Sequence, residues 1–287
     1  MNPLQAKQFE MLKVFVDICD KYNLNYILVG GTCLGAIRHK GFIPWDDDID
    51  VGMLREDYEE FLRVAPKELD KEKYFLQNYK TEPNFVYGFS KIRDNNTTYV
   101  EDFFADHDIH HGVWIDILPI DGYTDKNIEP NKLKGRITKF ILHIWLSYMP
   151  SLFRKFRRKT FFKDLLFNFL AVLFYPCNIA HYHQKALDRM AKKYPTNKAT
   201  LVGNHLYGFT GKIEALPPEV YRDTIKVQFE DIICRVPKDY DTYLKCLYGD
   251  YMKLPKEEDR IGHHHDKGFS LTVGYKEYLY GEKKSDK

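Results

Sequence analysis

The run Pro44-Trp45-Asp46-Asp47-Asp48-Ile49-Asp50-Val51 alternates carboxylates with apolar residues at its end. In a strand successive side chains point to opposite faces, so Asp48 and Asp50 share one face while Ile49 and Val51 pack behind it. Two carboxylates placed so lie about 6–7 Å apart and repel by about 2–3 kcal/mol at an effective dielectric of about 20. A bound cation removes that penalty, and oxygen-only ligands favour Mg²⁺ or Mn²⁺ over zinc. Upstream, Tyr26-Ile27-Leu28-Val29 predicts a buried strand, and Gly30-Gly31 can bring backbone close to a ligand. Thr32 is then placed to cap a helix over 33–39 whose N-terminal amides face an anion. A Gly-Gly turn alone is usually only a turn, and an acidic run alone is usually a solvated loop. In the order strand, Gly-Gly, helix, acidic strand, they predict a site for a metal-bound phosphate.

A third carboxylate comes from further along. Residues 113–118 are apolar except for Asp116, which predicts a buried strand carrying one acid. A lone buried Asp costs several kcal/mol unless neutralised or paired. A metal shared with Asp48 and Asp50 supplies the partner, so Asp116 is the third acidic residue and a candidate base. Asp121, beyond Pro119, is expected in a turn or cap.

The elements that must hold these groups follow from periodicity. Leu4, Phe9, Leu12, Val16 and Cys19 predict an amphipathic helix over 3–22, and 55–65 predicts a second, closed by Pro66. Residues 74–79, 85–93 and 97–100 have the texture of short strands, with Asp94-Asn95-Asn96 as a turn. Lys91 and Arg93 would share one strand face with Phe89. Residues 131–194 are helical in texture, and the basic cluster Arg154, Lys155, Arg157, Arg158, Lys159 and Lys163 precedes an apolar run at 165–175. That run is too short to span a bilayer, which needs about 20 residues. It fits a helical lobe packed on the core, a peripheral membrane contact through 151–175, or cation steering of a polyanionic acceptor. Beyond Pro195, 225–236 predicts a strand pair, and 240–247 a helix ending at Gly249. His263-His264-His265 admits a zinc site completed by His110 or His111, a contact to a diphosphate or acceptor hydroxyl, or plain surface.

Composition bounds the rest. In 287 residues, 44% hydrophobic and 29% charged, a sizeable core is available and disorder is excluded. A net charge of +2 gives no ground for nucleic-acid binding, so any anion must be met locally. The five cysteines have no Cys-x-x-Cys spacing, which argues against a disulfide framework or a thiolate zinc site. The first residues lack the apolar core of a signal peptide, and a cytoplasmic location is expected. The fold expected is α+β: a mixed β-sheet core over 1–125 with flanking helices, a helical insertion over 126–200, and a mixed segment over 201–287 packed on the core.

The stretch from Gly30-Gly31-Thr32 through Leu34-Gly35-Ala36-Ile37-Arg38 and Gly41-Phe42-Ile43-Pro44-Trp45-Asp46 to Asp48 and Asp50 resembles the signature of the LicD family, a branch of the nucleotidyltransferase superfamily. The resemblance extends through Lys91-Ile92-Arg93 to Thr97, through the Asp116 strand with Leu118 in place of the family's Phe, and to Tyr248-Gly249-Asp250-Tyr251-Met252 with Leu254-Pro255 and Arg260. It implies a nucleotidyltransferase-like core that moves a phosphorylated alcohol from a CDP-activated donor to a glycan hydroxyl, on a free or lipid-linked acceptor. Phosphocholine from CDP-choline comes first, with glycerol or ribitol phosphate donors open. It implies Asp48, Asp50 and Asp116 as catalytic metal ligands, and Gly30, Gly31, Thr32, Arg38, Lys91 and Arg93 around the donor phosphates. Trp45, His111, Arg260 and His264 are the candidates for substrate contact. Two rival readings stay open: transfer of a nucleoside monophosphate from a triphosphate, and a non-catalytic scaffold for glycan assembly.

Overall fold

The structure, a computed structural model, describes residues 1–85, 87–105, 107–123, 179–204, 215–262 and 264–281, together with positions 165 and 169. Nearly all of 126–178, including most of the segment expected at a membrane, lies outside the described residues. Among the described residues, no helix is long and apolar enough to cross a membrane.

Helix α1 (Pro3–Lys21) starts at a capping box, in which Asn2 and Gln5 satisfy each other's backbone amides, and it buries Phe9, Met11, Leu12, Phe15 and Cys19. Strand β1 (Ile27–Leu28) follows, then α2 (Gly30–His39), β2 (Asp50–Leu54) and α3 (Arg55–Glu68) without a gap after β2. Pro66 sits inside the last turn of α3 rather than ending it, and the Leu69 N–H closes the helix on the Ala65 carbonyl. Next come β3 (Tyr74–Gln77), β4 (Ser90–Asp94), β5 (Thr98–Glu101) and the ten-residue β6 (Trp114–Tyr123), buried throughout. The C-terminal part adds α4 (Ile179–Ala191), β7 (Leu201–Gly203), α5 (Pro218–Arg222), the hairpin β8 (Thr224–Phe229) and β9 (Ile232–Pro237), α6 (Tyr240–Tyr248), β10 (Asp266–Ser270) and α7 (Tyr275–Tyr280).

The result is a mixed α+β fold. The central sheet has the order β1-β2-β6-β4-β3, with β7 on the distal end of β6. Strand β2 runs parallel to β6 and the other pairs are antiparallel. Between β2 and β4, strand β6 has no exposed edge, which explains its continuous apolar texture. Its pairing with β4 ends at Ile117 and that with β7 begins at Asp121, so Pro119 falls where no antiparallel neighbour needs its missing N–H. Strand β5 leaves the main sheet and pairs with β10. Val202, Tyr221, Phe229 and Leu244 join the same hydrophobic core as α1 and the sheet.

Asp121 is neither a turn nor a cap residue. It lies within β6 with no exposed surface and binds the guanidinium of Arg55 through both oxygens, at 2.6 and 2.7 Å. Arg55 also reaches Glu59 and Asp188, each at 3.1 Å, and Tyr79 donates to Asp188 at 2.9 Å, so α4 is tied to the first turn of α3. Removing Asp121 takes away the bidentate, fully buried partner of Arg55 and leaves its guanidinium only the single contacts to Glu59 and Asp188. Asp121→Ala is expected to destabilise the protein by about 3–5 kcal/mol, measured by urea unfolding; a loss no larger than that of an exposed pair would show the network to be incidental.

Candidate active site

The sheet register builds the site. Asp50 stands opposite Asp116 across β2 and β6, and Asp116 stands opposite Lys91 across β6 and β4. Residues in register project to the same face, so one row crosses three strands. Lys91, almost fully buried, lies 3.0 Å from Asp116 and 3.6 Å from Glu101, with its ammonium 4.1 Å from the centre of the Trp114 ring. Asp48 precedes β2 and occupies the loop, so the expected strand face carries Asp50 and Asp116 instead of Asp48 and Asp50.

Electrostatics divides the row into two ends. Burial pushes Glu101 up, but Lys91 and Arg93 outweigh it and hold the carboxyl down at about 2. Burial lifts Asp48 to about 7, helped by the charges of Asp46 and Asp116, and lifts Asp46 to about 6, helped by Asp47. Asp50 is pushed well above the carboxylate range by burial and then by Asp48 and Asp116, and its Oδ1 has no hydrogen-bond partner among the described residues. Asp116 is raised by burial and partly held down by Lys91. The cations serve the Glu101 end, and at the other end burial and mutual repulsion raise Asp46, Asp48 and Asp50, so their ionised forms call for a cation from outside the protein.

That donor chemistry fits a divalent cation. Asp47, Asp48 and His264 each offer an atom within 4.8 Å of the others. His264 donates to Asp47 Oδ1 through Nδ1–H at 3.0 Å, its backbone N–H donates to Asp47 Oδ2 at 2.9 Å, and Asp48 lies 3.9 Å from its Nδ1. Burial opposes charge on His264, but the Asp47 hydrogen bond and the Asp48 charge prevail and raise its pKa. Asp50, at the start of β2 two residues beyond Asp48, adds a buried Oδ1 with no hydrogen-bond donor among the described residues.

The turn after β1 brings backbone to this cluster. Helix α2 begins at Gly30, which has φ +54°, and a Cβ on Gly31 would lie 2.8 Å from Asp46 Oδ2. Thr32 does not cap the helix, because α2 starts two residues earlier; its hydroxyl instead accepts the Asp50 N–H at 2.9 Å and fixes the start of β2. A cleft of about 1330 Å³ opens over Gly30, Gly31, Asp46, Asp48 and Asp50, and its opposite wall is made by Tyr221, Tyr243, Tyr248, Tyr251 and Lys253. Arg38 and Trp45 also line it, with Arg38 donating to the Tyr251 carbonyl at 2.7 Å and Arg260 lying 5.5 Å from the Trp45 ring centre.

The structure therefore gathers Gly30, Gly31, Arg38, Trp45, Asp48 and Asp50 at one cleft, with Asp116 and Lys91 behind the carboxylates and His264 beside them. Two expected contacts fall elsewhere. Arg93 has no exposed surface and donates to Gln77, the Gly112 carbonyl and Glu101 at 2.7–2.8 Å, leaving no route to a donor phosphate. His111 is buried, with Nε2 3.0 Å from the His107 carbonyl, and does not line the cleft. Lys91 acts on Asp116 and Glu101 and presents no free face to solvent. The sequence reading missed Asp47, Glu101 and, of the tyrosine wall, Tyr221 and Tyr243, whose side chains carry no mark of a site in sequence; Tyr248 and Tyr251 lie in the C-terminal stretch that resembles the family signature.

A buried strand row of carboxylates facing a helix start across a Gly-Gly turn is a site for handling phosphate esters. Residues 23–132 match the family model described as LicD/FKTN/FKRP, nucleotidyltransferase domain. The chain is 31% identical over 264 residues to a lipopolysaccharide cholinephosphotransferase LicD of Haemophilus influenzae, covering 91% of this chain and 94% of that protein. It is also 30% identical over 118 residues to an uncharacterized protein of Rickettsia prowazekii, covering 36% of this chain and 43% of that one. A ribitol 5-phosphate transferase FKRP of Homo sapiens is 42% identical over 48 residues, 17% of this chain and 10% of that protein. The chain belongs to the LicD family, and its site is of the nucleotidyltransferase or phosphotransferase kind.

The raised carboxyl pKa values set a pH dependence for the metal-free protein. A carboxyl titrating near 7 in the fold and at about 4 in the unfolded chain binds its proton more tightly in the native state, so the stability it contributes is full below about pH 4 and is lost as pH rises through about 7. Metal-free protein is expected to lose melting temperature between about pH 5 and about pH 8, with Asp48→Asn reducing the slope and added Mg²⁺ restoring the loss. Thermal unfolding followed by circular dichroism decides it: an identical slope in Asp48→Asn removes Asp48 from the effect.

Proposed function

We propose that the protein transfers phosphocholine from CDP-choline to a hydroxyl of a cell-surface glycan or its lipid-linked precursor, releasing CMP. The observation that carries this reading is the carboxylate cluster of Asp46, Asp48 and Asp50 lining an open cleft, with Asp116 paired to Lys91 behind it. The name of the Haemophilus influenzae relative, which aligns along nearly its whole length, supports choline as the alcohol.

In this reading the acceptor oxygen forms a bond to the choline-side phosphorus, the bond from that phosphorus to the bridging oxygen breaks, and CMP leaves with the bridging oxygen and its electron pair. Asp116 takes the acceptor's proton; its raised pKa brings it nearer the working pH, and Lys91 keeps it ionisable. Mg²⁺ or Mn²⁺ held by Asp48, Asp50 and Asp116 would neutralise diphosphate charge and stabilise the leaving oxygen. The backbone at Gly30 and Gly31 and the guanidinium of Arg38 bind the donor phosphates. The cleft, about 1330 Å³, has room for a nucleotide donor.

A donor screen tests the reading. Purified protein incubated with Mg²⁺, a glycan acceptor and CDP-choline is expected to release CMP, and Asp50→Asn is expected to reduce turnover by more than about a hundredfold. CMP released only from CDP-ribitol or CDP-glycerol reassigns the alcohol. Pyrophosphate released from CTP replaces the reaction with nucleoside monophosphate transfer, and Mg²⁺-dependent donor binding without turnover marks a scaffold.

A further inference from the structure

Helix α1 carries two buried amides on a face that is otherwise apolar. Gln5 and Gln8 are buried beside Phe9, Met11, Leu12 and Phe15. A buried amide costs free energy unless its groups are bonded. Gln5 is fully engaged: Oε1 accepts the Asn2 N–H at 2.9 Å, and Nε2 donates to the main-chain carbonyls of Asp46 at 2.9 Å and Ile43 at 3.2 Å. Gln8 is engaged on one side only. Its Nε2 donates to the Asp47 carbonyl at 2.8 Å, while Oε1 has no hydrogen-bond partner among the described residues. Leaving one end of the amide unbonded is a cost that points to the bond at the other end.

The carbonyls so held belong to the loop that presents Asp46, Asp47 and Asp48. This loop precedes β2, so no sheet ladder fixes it at these positions. Its carboxylates repel one another, and a turn of the peptide units would relieve that repulsion. An amide anchored in a helix and bonded to the carbonyl opposes the turn, because fixing the carbonyl toward α1 restricts where the side chain of the same residue can point.

We propose that Gln5 and Gln8 are positioning residues for the carboxylate cluster, fixing the Asp46 and Asp47 carbonyls so that the acidic side chains converge on a divalent cation. The proposal rests on the cluster being a cation site and is independent of which alcohol is transferred. Neither residue touches the cation or the substrate. Both act through the backbone of the loop.

Direct binding of Mn²⁺ by calorimetry, with melting temperature measured on the same metal-free samples, tests this without turnover. Gln8→Met keeps length and an apolar face but removes the donor. It is expected to weaken Mn²⁺ binding about tenfold while the metal-free melting temperature holds or rises, the unbonded Oε1 having gone. Activity should recover at high Mn²⁺, with the half-saturating metal concentration shifted and kcat little changed. Asn2→Ala, which removes the cap acceptor but spares the three amide bonds to the loop, should lower the melting temperature and leave Mn²⁺ affinity unaltered. Gln8→Glu serves as the second variant should Gln8→Met not fold, since it keeps shape and turns an acceptor toward the Asp47 carbonyl; it too should weaken Mn²⁺ binding. Unaltered Mn²⁺ affinity in a folded Gln8 variant, or an equal loss in Asn2→Ala, overturns the proposal. Wild-type protein that takes up no Mn²⁺ overturns the cation site itself, a result separate from any failure of CDP-choline as donor.

Discussion

A single buried ammonium divides the charge of this molecule. Lys91 lies between Asp116 and Glu101, and Arg93 joins it on Glu101, so two cations are committed to the interior end of the row. An ion pair this deep is tolerated only when each charge is bonded on several sides, and Trp114 supplies the remaining face, its ring approached by both Lys91 and Arg93. Among the described residues, Lys91 is the cation that lowers Asp50, and its nearest contacts are Asp116 and Glu101. The carboxyls at the cleft are therefore raised, and their ionised forms lack compensation, because positive charge is spent behind them.

Three distant pieces of chain converge on the loop between α2 and β2. Helix α1 holds its carbonyls through Gln5 and Gln8; the turn of the β8–β9 hairpin reaches it through Glu230, whose carboxylate accepts the Phe42 N–H at 2.9 Å; and the segment before β10 reaches it through His264 on Asp47. Glu230 takes a left-handed backbone, φ +52°, to make that turn. The loop is thus a product of the whole chain. Its carboxylates lie within the part matched by the family model, residues 23–132, but the groups that aim them lie partly before and partly after it.

What was legible in sequence follows from this. Asp50 and Asp116 were legible because a carboxylate inside an apolar run has to be compensated, and their strands are fixed by local periodicity. The hairpin at 224–237 and the helix closed by Gly249 were legible for the same reason. Thr32 was misplaced because a Gly-Gly turn is equally able to start a helix, and α2 uses both glycines as its first residues. Arg93 and His111 were misplaced because alternation says which face a side chain takes and nothing about what closes over that face; here β5 and its Glu101 close over Arg93. Gln5 and Gln8 left one trace that was open to reading: two amides spaced by three on the apolar stripe of an amphipathic helix, where leucine or methionine would pack at less cost.

The division between matched and unmatched parts of the chain also bears on specificity. The carboxylates, Lys91 and the turn at Gly30 all fall within 23–132, and together they set the charge at one side of the cleft. The facing wall, Tyr221, Tyr243, Tyr248 and Tyr251, comes from outside it and is tied back to the turn by the Gly30 N–H donating to the Tyr243 hydroxyl at 2.9 Å. A wall of aromatic side chains discriminates by shape and by attraction for cations, neither of which the carboxylate floor can do. The carboxylate end of the cleft is therefore set by the sheet register that pairs Asp50 with Asp116, while the tyrosines are carried by α5, α6 and the residues after them, so a substitution among them leaves that register in place.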